Sequence, residues 1–185
     1  MNSEDTYHSV QDRYAGVARQ AVPDNQRSYE RKVATAFGYD LEDLRSILDN
    51  ANLGVSCRNP LATANIGTGE TVVDLGSGGG IDVLLAAKKV GLEGKALDML
   101  ELAFITSIPV PSSTVDCIIR NRVVNLVPEA EKPLVFHEMF RLLKPGSRVA
   151  ISDILAKREL PMEIKTDLSL YVGCIAGASR VSDYE

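Results

Sequence analysis

The chain has 185 residues, 45% of them hydrophobic and 24% charged, and a formal net charge of −5. That length and balance fit one soluble globular domain with an N-terminal extension. The acidic balance with no basic run argues against nucleic acid as a partner, and no apolar run approaches the roughly 20 residues of a membrane helix.

Residues 1–30 are polar and carry no signal-peptide pattern. Helical signals around Tyr7 to Tyr14 are broken by Val22-Pro23-Asp24-Asn25. Tyr29 to Phe37 predicts a helix, and apolar residues at 41, 44, 47 and 48 predict another, with Asp40 as its N-cap. Asn50 to Pro60 reads as a loop carrying Cys57. Residues 1–60 are therefore expected to be a helical extension, and residues 61–185 an α/β domain. In that domain Thr71 to Leu75 predicts the first strand and Gly80 to Val90 its helix, ended by Gly91. Val115 to Ile119 predicts a second, parallel strand. Pro128 to Leu143 predicts a helix stopped by Lys144-Pro145-Gly146, and Arg148 to Asp153 a third strand. Glu163 to Val172 is expected to be helical. Cys57, Cys117 and Cys174 are too few and too far apart for a disulfide framework. Reduced thiols in a cytoplasmic setting are the expectation.

The segment Val72-Val73-Asp74-Leu75-Gly76-Ser77-Gly78-Gly79-Gly80-Ile81-Asp82 carries the most chemistry. It runs strand, tight turn, helix, and its glycines let a ligand approach the backbone closely. The spacing is G-x-G-x-G rather than G-x-G-x-x-G, and Asp74 stands two residues before the first glycine. An anion there repels a pyrophosphate and suits a cationic ligand or the amino group of an amino acid. The pattern resembles motif I of the class I S-adenosylmethionine (SAM) methyltransferases, which implies a Rossmann-like sheet.

Further segments resemble the arsenite methyltransferases, in a fungal-type version. They are Asn52 to Pro60, Val124-Asn125-Leu126-Val127-Pro128, Arg141-Leu142-Leu143-Lys144-Pro145-Gly146, Ser152-Asp153-Ile154 and Gly173-Cys174-Ile175-Ala176-Gly177-Ala178. The resemblance implies methyl transfer from SAM to thiolate-bound As(III), with Cys57 and Cys174 as two arsenic ligands. Thiolates suit a soft metalloid, although a lone cysteine is more commonly a small buried hydrophobe. It further implies cofactor contacts at Asp74, Gly76, Ser77, Gly78, Gly80, Asp98 and Asn121. Tyr14 resembles an aromatic residue that covers SAM; a tyrosine on a surface helix is the other reading.

Two departures are plain. The family pattern Ser-Asn-Cys-Val-x-Asn reads Arg120-Asn121-Arg122-Val123-Val124-Asn125 here. Arg122 stands at the third arsenic ligand, and a guanidinium has no lone pair to donate. Cys117, five positions earlier in mid-strand, is not a substitute. Second, only residues 91–114 separate the first helix from the strand at Val115, whereas one parallel strand-helix-strand unit needs roughly 30 residues. Internal strands are therefore expected to be lost. Asp98, 22 positions past Gly76, is either the acidic residue that accepts the ribose hydroxyls or the equivalent of an acidic residue in the following helix. The shortened sheet, and a chain stopping at Glu185 before a further segment, expose an edge, so a homodimer is expected, with exchange of an element as one route. Weak or lost methylation is the expectation; the alternative is a non-catalytic paralogue that binds itself or a partner. His8 and His137 are expected to be structural or solvent-facing.

Overall fold

The computed structural model describes residues 3–19, 24–48, 51–53, 58–99 and 105–184. Four parallel strands, β1 (Thr71–Leu75), β2 (Lys95–Met99), β3 (Val115–Asn121) and β4 (Leu143–Ser152), form one sheet in the order β2-β1-β3-β4. In β1, Asp74 is opposite Asp98 of β2 on one side and Ile119 of β3 on the other. The chain thus leaves β1 in one direction and returns on its other side. A crevice opens outside the carboxyl ends of the strands at such a reversal.

The strand at Val115 is the third of the sheet, not the second, because β2 precedes it. Sequence periodicity passed over β2 because it is an edge strand. Lys95 and Asp98 are exposed, and Ala96, Leu97 and Met99 are only half-buried, so the apolar signal of a buried parallel strand is missing. The return from β2 to β3 has no helix among its described residues. Instead, Ile105 and Ile108 enter the core. Helix α6 (Lys132–Leu142) holds that connection: Glu138 Oε1 accepts from the Ile108 amide at 2.6 Å, and Arg141 donates to the carbonyls of Ile108 and Val110 at 2.9 Å. The described residues of the connection, 105–114, are a loop held against α6.

Both faces of the sheet are covered. Cys117 and Ile119 of β3 share a cluster with Leu85, Ala86 and Val90 of α5 (Ile81–Val90), and with Ala34, Tyr39 and Leu44 from the N-terminal region. Ile118 packs on the other face with Val135, Met139 and Leu142 of α6. Each such buried aliphatic side chain contributes about 1.5–3 kcal/mol, so the N-terminal region is bound to the sheet by its own core residues.

Upstream, α1 (Ser3–Arg19), α2 (Asp24–Ala36), α3 (Leu41–Arg45) and α4 (Leu61–Ala64) precede β1. Asp40 caps α3 as expected, accepting from the amides of Glu42 and Asp43, but the helix stops at Arg45 instead of reaching Leu48. The helix expected over Glu163 to Val172 is two, α7 (Met162–Lys165) and α8 (Leu168–Val172). Asp167 divides them, capping α8 by accepting from the amides of Ser169 and Leu170, a role aspartate fills better than a mid-helix position. A third cluster, Val10, Leu126, Tyr171, Cys174 and Ala176, docks α1 on α8. No helix among the described residues is long and apolar enough to cross a membrane.

Candidate functional site

The glycine turn links β1 to α5, with Gly76, Gly78 and Gly80 at φ +76°, +58° and +92°, a region that costs an L side chain about 1–2 kcal/mol. Two of the glycines answer to the chain's own packing. A Cβ on Gly76 would lie 2.6 Å from Val123 Cγ2, and one on Gly79 would lie 2.4 Å from the Ala51 carbonyl oxygen. Gly78 differs: the nearest atom to a Cβ there is Leu53 Cδ1 at 3.8 Å, so its backbone is open to a ligand. No side chain caps the N-terminus of α5. Ser77 donates from its hydroxyl to the Asp98 carboxylate, so the turn and the end of β2 meet. Asp98 stands on a strand, not on a following helix.

Asp74, at the end of β1, is 1% exposed, and its Oδ2 has no hydrogen-bond partner. Burial raises its pKa well above the carboxylate range, and the charges of Asp82 and Asp98 add to the rise. Asp82, on the first turn of α5, accepts from the Tyr39 hydroxyl at 2.7 Å and from Asn121 Nδ2 at 3.2 Å. Burial still lifts Asp82 to about 6 against those two bonds. Asn121 also donates to the Arg58 carbonyl at 2.8 Å. Two distant segments thus donate to one buried carboxylate, and the Arg58 carbonyl accepts from one of the donors.

Arg122 and Cys174 face each other. The Cys174 thiol donates to the Arg122 carbonyl at 3.2 Å, and Arg122 Nη2 donates to the Gly173 carbonyl at 2.8 Å. Both residues are non-glycine with positive φ, 62° and 64°, a strain of about 1–3 kcal/mol each that tends to be retained at functional sites. Tyr14 of α1 completes the group: its hydroxyl interacts with Cys174, and burial raises both pKa values. The segment carrying Cys174 is clamped from below. Asn125 Nδ2 donates to the carbonyls of Ile154 at 2.7 Å and Cys174 at 3.2 Å, and a Cβ on Gly177 would lie 2.0 Å from the Asn125 carbonyl oxygen. Gly177→Ala is therefore expected to destabilise the protein by about 1–3 kcal/mol, measured as a lower denaturant midpoint. An unchanged midpoint would show that this clamp yields freely.

A methyltransferase domain family matches residues 100–185. An arsenite methyltransferase from Halobacterium salinarum is 36% identical over 97% of this chain and 55% of its own length. One from Aquipseudomonas alcaligenes is 33% identical over 62% of this chain and 41% of its own length. The chain is homologous to the arsenite methyltransferases. It spans about half the length of the curated family members it matches. Its structure is similar to that of an arsenic(III) S-adenosylmethionine methyltransferase from Chlamydomonas reinhardtii, with a TM-score of 0.60 and 26% identity, over 84% of this chain and 58% of the other.

The residues singled out from sequence fall into two groups. Asp74, Gly76, Ser77, Gly78, Gly80 and Asp98 surround the turn, and Asn121 reaches that group through Asp82. Tyr14, Arg122 and Cys174 form the other. Cys57 lies outside the described residues. Cys117 is fully buried in the sheet, where burial pushes its thiol up to about 11. His137 is exposed and lines a separate cavity of about 420 Å³ with Lys132, Phe136 and Tyr184.

Sequence reasoning passed over Tyr39, Asp82 and Arg120. Arg120 is fully buried, and none of its three guanidinium nitrogens has a hydrogen-bond partner. Burial lowers its pKa to about 10, opposed by the charges of Asp153, Tyr184, Cys174 and Asp74, so it remains a cation at neutral pH. The available signal was a charge ending the run Val115-Asp116-Cys117-Ile118-Ile119.

Proposed function

We propose that this chain binds SAM at the glycine turn and that its transfer of methyl to thiolate-bound As(III) is weak or lost. The contact between Arg122 and Cys174 carries the reading. The residues of the turn fit the cofactor: Asp74 presents a buried carboxylate oxygen without a donor, and Gly78 leaves its backbone open. SAM supplies the electrophilic methyl group. Asp74 and the turn (Gly76, Ser77, Gly78, Gly80) hold its amino-acid end, Asp98 accepts from the ribose, and Asn121 and Tyr14 bound the space between cofactor and substrate. Cys57 and Cys174 are two arsenic ligands, and the chain works by orientation and exclusion of water rather than by acid-base catalysis. Arg122 withholds the third sulfur. It would also bring a cation toward the sulfonium, which a pocket of low dielectric penalises.

Titration calorimetry with SAM, followed by a methylation assay with arsenite, tests this. Micromolar SAM binding with turnover far below 1 per second is expected. Turnover on the order of 1 per second or more would overturn the loss of activity, and no heat at about millimolar SAM would overturn the cofactor site. That last result would favour the second reading, a non-catalytic protein that associates with itself as a homodimer or with a partner. Its support is a pair of exposed aromatic side chains one turn apart on α6, Phe136 at 36% and Phe140 at 82%, together with the edge strand β4. The free thiols of Cys117 and Cys174 suit a reducing, cytoplasmic compartment.

A further inference from the structure

The glycine turn has more negative charge around it than a single cationic ligand needs. Asp74 on β1, Asp82 on α5 and Asp98 on β2 converge there, and Asp74 and Asp98 are direct partners across the strand ladder. Asp74 and Asp82 are 1% and 3% exposed. Two carboxylates this buried and this close do not both ionise easily, and they titrate as a pair. Their environments are unequal. Asp82 receives two side-chain donors, Tyr39 and Asn121, which favour its charged form. Asp74 receives the Val83 amide and leaves Oδ2 without a donor. Arg120, on β3, is the cation whose charge reaches Asp74 and opposes its protonation, while Asp98 promotes it.

We propose that Asp82 is a second determinant of cofactor binding: it keeps one proton on Asp74 Oδ2 in the free protein, and a ligand bearing an ammonium group displaces that proton to solvent. The O–H bond of the Asp74 carboxyl breaks, its electron pair remains as the carboxylate, and the proton leaves to buffer. The ammonium then takes the proton's place as the positive partner of the pair. Binding becomes selective for a ligand with a cationic amino-acid end over the nucleoside alone. It also depends on pH. While the ligand's amine stays protonated, the free protein and ligand hold more protons than the complex, so affinity rises with pH until the free pair has lost its proton or the amine begins to lose its own, with a limit of tenfold per pH unit for one proton. Burial places Asp82 near 6 and Asp74 well above its ordinary range, so the rise spans the region from about pH 5 through neutrality.

The inference rests on the reading that the turn holds SAM, and calorimetry separates the two. SAM, S-adenosylhomocysteine and methylthioadenosine are titrated at about pH 6 and about pH 8 in two buffers of different ionisation enthalpy. The first two ligands are expected to release about one proton each at the lower pH, and methylthioadenosine none. Asp82→Asn is expected to reduce the release and flatten the pH dependence of affinity. Tyr39→Phe, which removes a donor to Asp82 and touches no ligand, is expected to move the midpoint of that dependence upward. Thermal melting confirms that each variant is folded, and the two-buffer measurement on the unaltered chain needs no variant. Binding of SAM without proton release overturns the proton linkage and leaves the cofactor reading standing. Failure of SAM and S-adenosylhomocysteine to bind at either pH overturns both.

Discussion

Arg122→Cys is expected to bind arsenite about 100-fold more tightly than the parent chain, a gain of about 2.8 kcal/mol at 1.4 kcal/mol per tenfold. The reason is local. Residue 122 sits directly against Cys174, whose thiol already donates to its carbonyl at 3.2 Å, and the backbone there has the same left-handed turn at both positions. A cysteine at 122 would put a second sulfur beside the first. With Cys57 it would restore a three-sulfur set, whose thiols exchange for the hydroxyls of arsenite and release water. Soft sulfur ligands hold the metalloid where a guanidinium cannot. Arg122→Ala is the control. It loses the same bond to the Gly173 carbonyl and the same charge but supplies no sulfur, so it is expected to show no comparable gain. Calorimetric titration of arsenite, with the protein kept reduced by a phosphine rather than a competing thiol, reads both. Equal affinities in the parent chain and Arg122→Cys would show that residue 122 is not a ligand position.

Arg120→Met is expected to raise stability by about 1–4 kcal/mol. A buried charge contributes to stability only when paired and hydrogen-bonded, and replacing an imperfectly paired one by an apolar side chain of similar volume is commonly stabilising by that amount. Arg120 is fully buried and its guanidinium nitrogens have no partner. Asp153, whose charge acts most strongly on it, uses Oδ2 to accept from the Val124 amide at 3.0 Å and leaves Oδ1 without a donor. Methionine removes the desolvated cation without opening a cavity. The gain should be larger at lower pH. Without the nearby cation Asp74 and Asp153 hold their protons more firmly, and a carboxyl with a raised folded-state pKa contributes stability that is lost as pH rises through that pKa. Denaturant unfolding at about pH 6 and about pH 8 measures both effects. A loss of several kcal/mol at both pH values would show instead that the guanidinium is held by an ordered partner in solution.

The fold was largely legible where the sequence carried local signals. Thr71 to Leu75, the glycines after it and Ile81 to Val90 announce strand, turn and helix because each element's residues favour it independently of the rest of the chain. Asp40 announced its cap in the same way. β2 was not legible, because an edge strand with Lys95 and Asp98 on its surface has little of the apolar pattern that marks a strand. The division of residues 162–172 into two helices also went unread, since the periodicity continued through Asp167 while the cap bond outweighed it.

The site divides along the same line. The sequence alone determined the glycine turn with its preceding acid and the family resemblance, since these follow from residue type and short spacing, and the arginine at residue 122 is read from it directly. Only the tertiary structure decided which distant groups meet. Tyr39, Asp82, Asn121 and the Arg58 carbonyl are dispersed over the chain and form one network, and Tyr14 comes from the first helix to meet Cys174. It also decided that Arg120 is buried without a hydrogen-bond partner and that Asp74 shares its surroundings with two other carboxylates. Burial and charge coupling depend on what packs around a group, and that is set by the strand order β2-β1-β3-β4 and the helices covering it, which no local pattern encodes.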